Sequence, residues 1–231
     1  MKRHLAGIPA HIFLIGVFIL FNSCHKKNEI EPPPVINPTV SPIPYSVLVY
    51  LVTPNDKTIN YDYYNSAKST MQKLQNWFKT QMDNNKTFVL NPVVVDTLTG
   101  LHESNWYNSN HGPAISGDTY AYYNIKYEMK ELLGSKFDTS LYTYFVYVST
   151  SIPDETIPRG LAIGGADHLA NTSNYTNGLD AHALAHAFGL PEPAVPTSNG
   201  IMSNGIPMWP NCVFTPEEKD SLNASPFFKV Q

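Results

Sequence analysis

Apolar and polar positions change their spacing several times along the chain, and each change marks an element. Residues 46–52, Ser-Val-Leu-Val-Tyr-Leu-Val, form a short unbroken apolar run that predicts a buried strand, ended by Pro54 and Asn55. From Asn60 to about Asp83 the period becomes helical: Tyr63, Ala67, Met71, Leu74, Phe78 and Met82 recur every three or four residues. The opposite face carries Lys68, Gln72, Lys73, Gln75, Lys79 and Gln81, so this helix is amphipathic. Phe88 to Leu98 reads as a further strand in which Pro92 demands an edge, a bulge or a break. A polar loop from Gly100 to Gly117 leads into helical spacing from Ser116 to Leu133, closed by Gly134 as a C-cap. Tyr142 to Val148, rich in tyrosine, valine and phenylalanine, predicts another strand. Alternation of strand and helix implies an α/β (or α+β) domain with a mixed, largely parallel sheet and helices packed on it.

Before that domain the chain has a different character. Lys2, Arg3 and His4 precede an apolar stretch from Ile12 to Phe21 and then Asn22, Ser23 and Cys24. A basic start, a short apolar run and small polar residues match a secretory signal, and the run is short for a retained membrane anchor. The ending Phe21-Asn22-Ser23-Cys24 resembles a bacterial lipoprotein box, with Phe21 in place of the usual aliphatic residue. That resemblance implies cleavage before Cys24, a lipid on its sulfur, and delivery to a membrane as a periplasmic or cell-surface lipoprotein. Ordinary cleavage nearby, leaving Cys24 and Cys212 both present, is the alternative. From His25 to Pro44 the chain is polar and carries six prolines, a composition suited to an extended tether or to a ligand for a proline-recognition module. The expected organisation is a signal at 1–23, a Pro-rich tether at 24–44 and one folded domain at 45–231.

Composition removes several functions. The chain has 231 residues, enough for one well-filled core. A net charge of −4 and only two arginines, Arg3 and Arg159, leave no positive field for nucleic acid. Two cysteines allow at most one disulfide. The tyrosines, all between Tyr45 and Tyr175, suit core packing, with stacking against carbohydrate as the functional alternative.

The chemistry concentrates between Asn177 and Leu190. His182 and His186 stand four residues apart, so on a helix both imidazoles share one face and can each offer a nitrogen to zinc. Gly189 and Pro191 then allow a sharp exit from the helix.

Residues 182–192, His-Ala-Leu-Ala-His-Ala-Phe-Gly-Leu-Pro-Glu, resemble the extended zinc motif of the metzincin metallopeptidases, HExxHxxGxxH. His182 and His186 match the first two zinc ligands, Gly189 the glycine of the turn, and Glu192 the place of the third ligand. Ile201-Met202-Ser203-Asn204-Gly205 resembles the methionine turn, which implies Met202 packed beneath the histidines. Arg159 and Gly160 followed by Leu161, Ala162, Ile163, Gly164 and Gly165 resemble the edge strand above a metzincin cleft, to which an extended peptide would pair. A core strand followed by a turn is the other reading of that segment.

Two departures bear on activity. Ala183 stands where the family carries its general-base glutamate, either by nature or through a deliberate substitution, and alanine transfers no proton. Glu192 replaces a histidine; its oxygen is a legitimate zinc ligand, or it lies exposed beyond Pro191. Asp180 is expected to stabilise the helix start through the dipole, and His168 to occupy a loop or second site. No tyrosine follows Met202 where the family often has one, since Asn204 and Ile206 stand there. His102 and His111 are candidates for a separate metal site, and Cys212 has no local histidine–acid motif to make it a nucleophile. Thr215, Pro216 and Glu218 form a capping box for a last helix, after which Leu222, Phe227 and Phe228 are expected under the cleft.

Two functions follow from a zinc site. One is an exported zinc peptidase homologue that binds peptides or proteins with impaired hydrolysis. The other is a zinc-stabilised binding module that holds extended peptides without cutting them. A third, purely structural use of the histidines in a polar core would serve cell-surface contacts. Oligomeric state stays open.

Overall fold

The computed structural model describes residues 41–111, 120–153 and 159–230. The signal, Cys24 and the tether as far as residue 40 lie outside the described residues. Among the described residues no helix is long and apolar enough to cross a membrane.

The sheet is built on β1 (Ser46–Thr53), all eight residues of which are buried. That accounts for its unbroken apolar sequence, because a central parallel strand is covered on both faces. Strand order is β5-β4-β1-β2-β6, with β3 also paired to β1. β4 (Tyr142–Val148) runs parallel to β1 over seven residue pairs, and β5 (Leu161–Gly164) runs parallel to β4. The expected strand from Phe88 to Leu98 is two strands. β2 (Lys86–Leu90) pairs with β1 at Ser46 and Val47, and β3 (Asp96–Thr99) pairs with it again from Tyr50 to Thr53. Pro92, which has no N–H to give a ladder, lies in the gap between them. β6 (Phe228–Val230) closes the far side antiparallel to β2.

Helix α1 (Tyr61–Gln81) begins where Asn60 accepts hydrogen bonds from the Asp62 and Tyr63 amides, and it buries Ala67, Met71, Leu74 and Phe78 as its period predicts. Helix α2 (Tyr120–Leu133) ends at Gly134, whose φ of 55° is in the left-handed region that favours glycine. A short helix α3 (Ala166–Ala170) precedes α4 (Asn174–Ala187), and α5 (Pro216–Ala224) starts with the expected capping box between Thr215 and Glu218. Phe228 sits in β6 within an aromatic core cluster: it packs on Phe88, Phe78 and Phe188 with ring centroids 6.5, 5.9 and 5.0 Å away. Phe188 immediately follows α4 and also meets Phe78 at 5.8 Å, so the end of α4 is fixed to α1, β2 and β6 at once.

Candidate metal centre

Helix α4 carries both histidines, and the sequence around them explains how a polar pair can sit so deep. Ser173 caps the helix by accepting from the Thr176 amide. Beyond the cap the helix is buried nearly all round, with Gly178, Ala181, Ala183, Ala185 and Ala187 in contact-rich positions. Small side chains let neighbouring backbone close in: a Cβ on Gly178 would collide with the Ile206 carbonyl. After Phe188 the chain turns at Gly189, where φ is 103°. That turn brings Leu190 and Glu192 back beside the helix end.

Each imidazole is anchored by its Nδ1. His182 Nδ1 lies 2.9 Å from the Ile201 carbonyl oxygen, and His186 Nδ1 lies 2.8 Å from that of Leu190. A carbonyl only accepts, so both Nδ1 atoms carry the proton and both Nε2 atoms present a lone pair. The two Nε2 atoms are 3.1 Å apart, with the rings perpendicular. Glu192 Oε1 stands 3.1 Å from His186 Nε2 and 3.5 Å from His182 Nε2. Two facing lone pairs and a carboxylate oxygen cannot satisfy one another; they converge as donors to a cation. Donors bound tetrahedrally at about 2.0–2.1 Å from zinc are roughly 3.3 Å apart, close to all three separations. The donor set therefore fits a divalent ion. Burial lowers the His182 pKa most, the neighbouring His186 lowers it further, and the Ile201 carbonyl and Glu192 partly oppose this. The net direction favours the neutral, ligating imidazole. Among the described residues this triad is the one group of histidine, cysteine and carboxylate side chains so placed.

Glu192 shows features of both expectations, ligand and surface residue. Its side chain is 54% exposed, yet its oxygen reaches both imidazoles. Met202 is fully buried, and the residue before it supplies the carbonyl that holds His182. The turn around it is closed by bonds from the Ser203 and Gly205 amides to the Gly200 carbonyl. Ala183 lies on α4 directly after the first histidine, with 9% of its surface exposed.

Other residues stand differently from expectation. Asp180 is not at the helix start, which lies six residues earlier at Asn174. It is buried, accepts a hydrogen bond from the Tyr147 hydroxyl at 2.7 Å, and lies 2.6 Å from His168 Nδ1. Burial and the Asp180 charge raise the Tyr147 pKa well above its ordinary value. His168 is on α3 rather than in a loop, so the three residues tie α3, β4 and α4 together. Gly164 and Gly165 accommodate the protein itself: a Cβ would meet the Tyr147 ring at 2.8 Å or the Ile152 amide at 2.9 Å. β5 ends the sheet order, with Leu161, Ala162, Ile163 and Gly164 all buried. His102 and His111 each stack on Trp106, at 3.7 and 5.4 Å between centroids. Cys212 is buried and free, and burial pushes its thiol up to about 11, away from nucleophilic use. Tyr147 and the carbonyls of Ile201 and Leu190 have no sequence signature, because their roles depend on which segments meet.

No protein-family model matches the chain, and no curated protein matches it. Solved structures do. The fold is similar to that of OgpA from Akkermansia muciniphila. The wild-type OgpA structure superposes with a TM-score of 0.60 at 14% identity over 80% of this chain and 62% of that one. A second OgpA structure, catalytically inactive and in complex with an O-glycopeptide substrate, glycodrosocin, gives the same TM-score and identity over 79% and 60%. The chain thus spans about three fifths of the OgpA length.

Proposed function

We propose that the chain is an exported, lipid-anchored homologue of the metzincin peptidases that binds zinc and extended peptides and hydrolyses them poorly. The observation that carries this reading is the convergence of two Nε2 lone pairs and the Glu192 oxygen on one point. Support comes from the spacing of His182, His186 and Gly189, from the turn at Met202, and from a fold similar to a protein that takes an O-glycopeptide substrate. In this reading the Ile201 and Leu190 carbonyls hold both imidazoles in the ligating tautomer, and Glu192 completes a three-donor face with a position open for substrate. Zinc bound there would polarise a peptide carbonyl as a Lewis acid. β5, terminal in the sheet order though its four residues are buried, would align the peptide by backbone pairing. Ala183 supplies no group to take a proton from water or pass one to the departing amine, a loss worth about 100- to 10,000-fold.

The same alanine favours the second reading, a zinc-stabilised module that holds peptides without cutting them. Zinc content and hydrolysis of a mixed peptide substrate, measured in the chain as it stands, in Ala183→Glu and in His186→Ala, separate the two. The expected result is one zinc per chain, lost in His186→Ala, with hydrolysis rising about 100-fold or more in Ala183→Glu. One zinc with peptide binding but no gain in Ala183→Glu favours the module. A folded protein that takes no zinc defeats both.

A further inference from the structure

At the end of α4 farther along the chain from its cap lies a cavity of about 410 Å³, lined by Thr143, Arg159, Gly189, Leu190, Ser225 and Phe227 among others. Its apolar wall comes from Phe188, Leu190, Pro191 and Phe227, and among the described residues no aspartate or glutamate lines it. Arg159 is the only arginine outside the first three residues of the chain, and its guanidinium has no hydrogen-bond or carboxylate partner among the described residues. Thr143 is fully buried, and its hydroxyl has no hydrogen-bond partner among the described residues. A buried hydroxyl left unmatched costs about 1–3 kcal/mol, so such groups usually face a polar occupant.

An arginine beside a helix C-terminus has an ordinary explanation, which is to bond the last carbonyls. Here those carbonyls are already matched. Leu184, Ala185, His186 and Ala187 accept from the amides of Phe188, Leu190, Gly189 and Gly160. The guanidinium instead lies across Gly189, where a Cβ would stand 2.8 Å from Nε. A planar fork with unused donors, an orphan hydroxyl and a wall without negative charge form a receptor for a planar anion.

We infer that this cavity is a carboxylate-binding subsite in which Arg159 and Thr143 recognise a peptide carboxylate, either a C-terminal group or an acidic side chain. The cavity shares a segment with the metal centre: the Leu190 carbonyl holds His186, and Pro191 precedes Glu192. The subsite deepens the proposed peptide-binding function and relies on it only for the ligand being a peptide.

The probes are N-acetylglycine, which carries a terminal carboxylate, and N-acetyl-aspartic acid α-amide, which carries only the side-chain carboxylate. N-acetylglycinamide and N-acetyl-asparagine amide are their neutral counterparts. The Arg159 Nε–H resonance in chains that keep Arg159, and line broadening of the probe itself in every variant, are followed by NMR during each titration, with zinc supplied and again with zinc chelated. The expected result is a saturable shift with at least one carboxylate and at least tenfold weaker response to its neutral counterpart, in both metal states. Arg159→Gln should weaken carboxylate binding at least tenfold, and Thr143→Val about threefold or more, with circular dichroism unchanged. Preference for the first or second acid tells whether the terminal or the side-chain group is the ligand. Equal response to acids and amides, no response, or binding that survives Arg159→Gln and vanishes on chelation each overturns the inference. Zinc stoichiometry, read separately in the same samples, shows whether the metal centre stands or falls independently.

Discussion

At the scale of single residues, the histidine pair is informative because its two outer nitrogens are already committed. The Ile201 and Leu190 carbonyls fix ring orientation and protonation together, an arrangement usual for metal-ligating histidines. The pair itself was legible from a four-residue spacing, and Glu192 from its distance beyond Gly189. Asp180 was not, because its partners lie 12 and 33 residues away on other elements. Helix-dipole reasoning sees only the residue's own helix, whereas burial and two partners decide its role. Replacing Asp180 with alanine leaves the Tyr147 hydroxyl buried without its acceptor and removes the partner of His168 Nδ1. Asp180→Ala is therefore expected to lose about 3 kcal/mol of unfolding free energy in urea titrations. A loss under about 0.5 kcal/mol would mean that water replaces the carboxylate there.

Among the elements, helix boundaries followed the sequence where a cap announced them. Asn60 and Thr215 both act as side-chain acceptors at helix starts. The capping box at Thr215 gives a pH-dependent expectation. Glu218 accepts from the Thr215 amide at 2.8 Å, yet burial, the larger effect, raises its pKa above the ordinary carboxylate value. A carboxyl whose folded pKa is raised binds a proton more readily when folded. Its contribution to stability is complete below the unfolded pKa, about 4.3, and is lost as pH rises through the folded value. Glu218→Gln keeps a capping-box side chain without that titration. The stability of the variant relative to the parent, measured by denaturant titration, is thus expected to increase from pH 4 to pH 7. A difference flat with pH would show that the carboxyl titrates normally. Strand boundaries were less legible: Pro92 announced an interruption, but the second pairing of β3 to the same neighbour, β1, depends on the direction the chain takes after it.

For the whole domain, alternating strands and helices implied a largely parallel sheet, which the parallel pairings of β1 with β2, β3 and β4 and of β4 with β5 bear out. The antiparallel return of β6 was not legible, since three residues at the chain's end carry almost no pattern and owe their place to Phe228 entering the aromatic cluster. That cluster joins the end of α4 to strands and helices from distant parts of the sequence, so occupying the metal centre should stabilise the domain as a unit. Zinc at a hundred times its dissociation constant would add about 2.7 kcal/mol if the unfolded chain does not bind it. Thermal melts with zinc and with a chelator are expected to differ by several degrees. Coincident melts would mean that the donors hold no ion.

The three donors differ in how they are mounted. Two imidazoles are embedded in a packed helix, while the carboxylate rides a surface span that begins at Pro191 and passes Pro193 and a largely exposed Val195. Prolines on either side of Glu192 narrow its backbone to extended shapes, so the arm is stiff although it is wet. Release of an ion held there is then expected to start with this arm swinging clear, which would set the residence time. Loosening the arm with Pro191→Gly and Pro193→Gly should quicken zinc loss to a competing chelator in stopped-flow traces while leaving the two-histidine clasp assembled; an unchanged rate would place the first break at an imidazole instead.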